Sequence, residues 1–196
     1  MREQDFYPKL CEIFSENLLE YLPRGSRIVY SYDKSLNIMV SEIQNKLESE
    51  DDDFGEYIPK LKIDILFGIK IPDRSKTRYI LFEVKYLNQL NLSHLSQLVG
   101  YLQVTKNIKH GILLLVAKDY AGNQVSNDFK ELIQMRYIPM DWKLTFSELE
   151  VSPTYSFKTG ISWYLPGDGV EWENTADILG ITSFEDLANQ IIESSE

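Results

Sequence analysis

One cysteine, Cys11, is all that the 196 residues hold, so no internal disulfide can form and no cysteine-rich zinc site can be assembled. The two histidines, His94 and His110, have no carboxylate or cysteine set at ligand spacing, and both read as structural residues. Long apolar runs are missing as well. The longest, GILLLVA (111–117), is far too short to cross a bilayer. The first ten residues, MREQDFYPKL, are charged and lack an apolar stretch, so they do not read as a signal peptide. Positive charge is in deficit: the formal net charge is −10, which excludes a non-specific nucleic-acid coat that would need a basic surface. It does not exclude an enzyme acting on nucleic acid, whose local field matters more than the total. Together these absences predict a cytoplasmic protein.

What is present is an ordinary hydrophobic share and many aromatics, enough for one domain with a full core. Helical spacing of Phe6, Leu10, Ile13, Phe14 and Tyr21 predicts a helix over 5–22, ended by Pro23-Arg24-Gly25. Residues 27–47 read as one or two strands, RIVYSY and LNIMVSEIQ. The acidic run 48–57 reads as a solvated loop. The apolar segment 60–70 and the segment RYILFEVKY (78–86), joined by turn residues Pro72, Asp73 and Ser75, predict a hairpin. A helix follows over 92–106 with Ser93 as N-cap, then a buried strand over 110–117. Further on, 125–137 reads as helical and KLTFSELEV and FKTGISWYL as strands. A helix over 183–194 opens with Ser183 and Asp186 in a capping-box-like start. We take 1–120 as the core and 121–196 as a C-terminal α+β extension packed on it.

Glu83 and Lys85 interrupt the apolar strand 78–86. Strand alternation puts both on one face, with Phe82 and Val84 on the other. Asp64 stands in the preceding strand between Ile63 and Ile65, and the hairpin can bring it beside Glu83. Two carboxylates at close range repel each other, and burial raises the cost of ionising them. A divalent cation removes both penalties, and magnesium or manganese suits hard oxygen ligands. The segment 60–85 carries a local net charge of +4 within the acidic chain. This donor set suits metal-assisted phosphodiester hydrolysis, with Lys85 holding the phosphate or the attacking water.

Asp64 followed by Glu83-Val84-Lys85 resembles the Asp…Glu-x-Lys motif of the PD-(D/E)XK nuclease superfamily. The element order over roughly 5–117 is similar to that family's restriction-endonuclease-like αβββαβ core, which is an α/β (α+β) fold with a central mixed sheet flanked by helices. The proline that often precedes the aspartate is absent, and Ile63 stands there. Gln97 and Tyr101, at i and i+4 on one helical face, resemble the Gln-x-x-x-Tyr element of RecB-like members. The resemblance implies a divalent-metal-dependent nuclease with Asp64 and Glu83 as metal ligands, Lys85 as a catalytic residue, and Gln97 and Tyr101 touching substrate. It also implies a further glutamate from the first helix, for which Glu12 is the candidate ligand and Glu16 the alternative. The implied cofactor is Mg2+ or Mn2+ and the implied partner is nucleic acid, DNA first and RNA as the alternative. The roles in view are restriction, phage defence or repair. An acidic surface binds DNA weakly alone, which a homodimer or a DNA-binding partner protein would offset. The competing function is a scaffold of this fold that has lost turnover and serves as a binding subunit.

Each of these residues also has a plainer reading. Asp64, Glu83 and Lys85 could form a structural salt-bridge cluster. Glu12, Glu16 and Glu20 form an acidic stripe of the kind found on the wet face of a helix. Cys11 reads as a small core residue. The aromatics Trp142, Phe146, Tyr155, Phe157, Trp163, Tyr164 and Trp172 more often fill a core than stack on bases.

Overall fold

The computed structural model describes residues 2–49, 58–105, 107–117, 125–134, 158–165, 169–172 and 180–193. A 3-10 turn, Glu3–Phe6, leads into helix α1, Tyr7–Leu19. Strand β1 (Arg27–Ser35) runs directly into helix α2 (Leu36–Leu47). Strands β2 (Lys62–Lys70) and β3 (Arg78–Leu87) form the expected hairpin. Helix α3 (Leu92–Val104) and the wholly buried strand β4 (His110–Ala117) follow. Beyond them lie α4 (Asn127–Gln134), β5 (Lys158–Leu165), β6 (Gly169–Trp172), β7 (Gly180–Ile181) and α5 (Phe184–Glu193).

The strands form one mixed sheet in the order β1-β2-β3-β4-β5-β6, and β7 also pairs with β5. The β1-β2 and β2-β3 pairs are antiparallel, and β3-β4 and β4-β5 are parallel. Helices cover both faces. On one side α2, α3 and α4 bury Met39, Ile43, Leu98, Leu102 and Phe129 against Leu66, Leu81, Leu113 and Leu115. On the other, α1 and α5 bury Leu10, Phe14, Leu187 and Ile191 against Phe67, Phe82, Ile112 and Leu114. This double cover explains why β4 is apolar at nearly every position instead of alternating. The fold is therefore a mixed α/β arrangement with helices flanking a central sheet. The C-terminal segment joins that sheet through β5.

The segment LNIMVSEIQ, read above as a strand, is the helix α2. Its buried residues Leu36, Met39, Val40, Ile43 and Leu47 recur at a spacing of three and four, a helical stripe that outweighs the β-branched content. This helix interrupts the expected run of three consecutive strands. The N-cap of α3 is Asn91, not Ser93: the Asn91 side chain accepts from the Ser93 N–H at 3.1 Å. At α5 the Ser183 hydroxyl accepts from the Asp186 N–H at 3.0 Å, as the capping pattern predicts. KLTFSELEV, most of the acidic run 48–57, and the aromatics Trp142, Phe146, Tyr155 and Phe157 lie outside the described residues. Trp172 packs edge-on against Phe14 and Phe184, and Tyr164 is buried, which is core-filling behaviour. No helix among the described residues is long and apolar enough to cross a membrane.

Candidate functional site

β2 is continuous, but its pairing changes at residue 64. Its ladder with β3 ends at Ile65–Phe82. Its ladder with β1 passes from Tyr32–Ile65 to Lys34–Ile63 and skips Asp33, which takes the left-handed conformation at φ 54°. Alternation alone predicts Ile63 and Ile65 on one face. The structure places Ile63 in the core under α2 and α3, and Ile65 in the core under α1. The regular pleat thus fails at Asp64, and its half-buried side chain takes over the role of a strand neighbour. Asp64 Oδ2 accepts from the Val84 backbone N–H at 2.8 Å, and Oδ1 accepts from the Tyr7 hydroxyl at 2.9 Å.

Glu83 follows from β3. Leu81 faces the α2/α3 core and Phe82 and Val84 face the α1 core, so alternation holds here and Glu83 lies on the α2/α3 face. It is only 2% exposed, unusual for a carboxylate. Burial, followed by the Asp64 charge, pushes its carboxyl up to about 7, although a hydrogen bond from Lys85 pulls the other way. The negative charge of Glu3 adds to the upward push. Lys85 Nζ makes a close ion pair with Glu83 Oε1. Burial disfavours the Lys85 ammonium, but the bond to Glu83 and the charges of Glu83, Asp64 and Glu3 outweigh it and raise its pKa. Lys85 is therefore a cation held among three carboxylates.

Glu12 is not among them. It sits exposed on α1 and pairs with Lys9 at 3.0 Å, and Glu16 is exposed on the same helix. The N-terminal acid that reaches the site is Glu3, one turn before α1. Its Oε2 accepts from the Tyr86 N–H at 3.1 Å, and its Oε1 lies 3.1 Å from the Tyr7 hydroxyl. Gln97 and Tyr101 lie on α3 as expected, and the Gln97 amide donates to the Tyr101 hydroxyl at 3.0 Å. Gln97 is exposed and Tyr101 half-buried. One turn before Gln97, His94 Nδ1 accepts from the Asn91 N–H at 3.1 Å. Burial and then the nearby Lys85 charge lower the His94 pKa.

The sequence pattern alone assigns no role to Glu3 or Tyr7 and leaves His94 structural. A signal for the first two is present: they lie four apart, about one helical turn, on either side of the start of the predicted helix. The link from Tyr7 to Asp64 spans 57 positions in sequence, and no local pattern carries that.

The chemistry of the donor set fits a hard divalent cation. The Asp64 charge adds to the cost of ionising Glu83, and a cation between the two would relieve it. Among the described residues, no group of three or more His, Cys, Asp or Glu side chains is arranged to hold a metal ion by itself. Two carboxylates supplemented by water and phosphate oxygens are nonetheless a common magnesium environment. The site lies on the C-terminal half of β3, beside the parallel strand β4, where α/β sheets often bind ligands. No family model matches the sequence, and no curated protein matches it.

Proposed function

We propose that this chain is a divalent-metal-dependent nuclease of the PD-(D/E)XK kind, hydrolysing phosphodiester bonds of DNA. One observation carries the reading: Glu83, buried and driven toward neutrality by burial and Asp64, stands two residues from Lys85 on the same strand. The Glu83–Lys85 pair by itself leaves Glu83 under the repulsion of the second carboxylate, which a cation would relieve.

Asp64 and Glu83 are the residues that would hold Mg2+ or Mn2+. When bound, the ion would acidify water and offset charge on the phosphate. Lys85 supplies a compact positive charge to a phosphate oxygen or to the attacking water. His94, near enough to feel the Lys85 charge, is a further polar side chain on that side of the site. Gln97 and Tyr101 continue along that helical face as contacts for the nucleic-acid strand. The net negative chain makes a homodimer or a DNA-binding partner protein the natural way to gain affinity. The pathway would be restriction, phage defence or repair.

A second reading has its own support. Lys85 is already paired with Glu83, an arrangement that needs no metal and suits a binding subunit that retains the scaffold without turnover. One assay separates the two. Purified protein is incubated with linear, circular and single-stranded DNA and with RNA, in magnesium, manganese or EDTA. Metal-dependent cleavage, lost in Glu83→Ala and Lys85→Ala, supports the nuclease. RNA-only cleavage reassigns the substrate. Binding without cleavage under every condition supports the subunit.

A further inference from the structure

Tyr7 opens α1 with its ring buried in the α1-side core, 1% exposed and edge-on to Tyr32. Its one polar atom meets two carboxylates from separate parts of the chain: Asp64 Oδ1 at 2.9 Å and Glu3 Oε1 at 3.1 Å. A phenol has a single proton, so it cannot serve both fully. The remaining oxygen of each carboxylate is anchored to β3, Asp64 on the Val84 N–H and Glu3 on the Tyr86 N–H. These two amides lie on either side of Lys85.

We infer that Tyr7 is a positioning residue for the metal site. Its hydroxyl, steadied by Glu3, fixes the rotation of the Asp64 carboxylate. This rests on the nuclease reading above, with Asp64 as a ligand. A ligating carboxylate turns freely about its last bond unless something outside the metal holds it, and such outer partners typically change metal affinity by about 10–100-fold. Here the Val84 N–H holds one oxygen and Tyr7 the other. Each oxygen then keeps one lone-pair position for a cation. The ring alone does not explain the arrangement. Phenylalanine would fill the same buried space, and the hydroxyl would otherwise bring two repelling carboxylates together to no purpose.

The test uses the full chain, manganese(II) chloride and titration calorimetry. The variants are Tyr7→Phe, Asp64→Asn and the double variant, each checked for folding by a thermal melt. Asp64→Asn should lose most of the manganese affinity. Tyr7→Phe should weaken it by about 10–100-fold, with a modest fall in the metal-free melting temperature because Asp64 loses one of its two donors. In the double variant Tyr7→Phe should have no further effect, because it acts through Asp64. Manganese binding by Tyr7→Phe equal to wild type overturns this assignment and leaves the nuclease reading intact. Additive losses in the double variant also overturn it. Wild type that neither binds manganese nor cleaves overturns both. Should Tyr7→Phe fail to fold, Glu3→Ala removes the support of the hydroxyl without touching the buried ring. A loss of manganese affinity smaller than in Asp64→Asn, and absent when Asp64→Asn is already present, then supports the assignment; affinity equal to wild type overturns it, and a loss as large as in Asp64→Asn makes Glu3 a ligand and overturns it.

Discussion

Glu83 is a carboxylate whose charge this fold tolerates poorly. Its carboxyl is raised to about 7 in the folded chain, above its value of about 4.5 when unfolded. Between those two values the folded state binds more protons than the unfolded one, so stability falls as pH rises. In the metal-free protein this loss should run from about pH 4.5 through pH 7 and amount to about 1–3 kcal/mol. Glu83→Gln should remove that slope. Denaturant melts at several pH values in EDTA give the measurement, and an unchanged slope in Glu83→Gln would mean that another group is responsible. Asp64 stands in contrast. Two hydrogen-bond donors serve its charge, so its replacement should remove support from the metal-free protein instead of relieving strain.

At the scale of elements, α2 and α3 matter for opposite reasons. α2 presses so closely on β2 that a Cβ at Gly68 would lie 2.2 Å from Ile43 Cγ2, and Ile43 is wholly buried. Gly68→Ala should therefore destabilise the fold by about 1–3 kcal/mol, read as a lower melting temperature. No loss would mean that α2 can shift freely. α3 shows the reverse. The Gln97–Tyr101 bond is exposed and local, so Gln97→Ala should cost only about 0.2–0.5 kcal/mol of stability. Its cleavage rate should nonetheless fall while manganese affinity holds, if Gln97 contacts the nucleic acid. Parallel melting, titration and cleavage assays on Gln97→Ala separate the roles. A collapse of metal affinity would place Gln97 at the metal instead.

For the whole molecule, a ligand that binds only the folded state adds stability by mass action. At a hundredfold excess over its dissociation constant a divalent cation adds about 2.7 kcal/mol. For a chain of this length that corresponds to a rise in melting temperature of about 5–10 °C. Wild type should show such a rise with magnesium or manganese, and Asp64→Asn should show much less. A scanning melt of both proteins with metal and with EDTA decides it, and equal shifts would remove Asp64 from the proposed metal site.

Much of this fold is legible in local chemistry alone. Apolar runs with a turn between them mark the hairpin of β2 and β3. Seven consecutive apolar or glycine residues from 111 to 117 mark the buried strand β4. Glu83 and Lys85 fall on one face because strand alternation is a property of the backbone. The α2 segment reads wrongly as a strand because its helical stripe and its strand-like content compete within a few residues. The positions of Asp64, Tyr7 and Glu3 are decided only by the tertiary structure. Asp64 departs from alternation where two ladders break at once, and it meets Tyr7 only because α1 packs across the far face of the sheet. Sequence sets the periodic forces along each element. Which distant charges share one proton depends on how the elements pack, because that energy belongs to pairs of residues far apart in the chain.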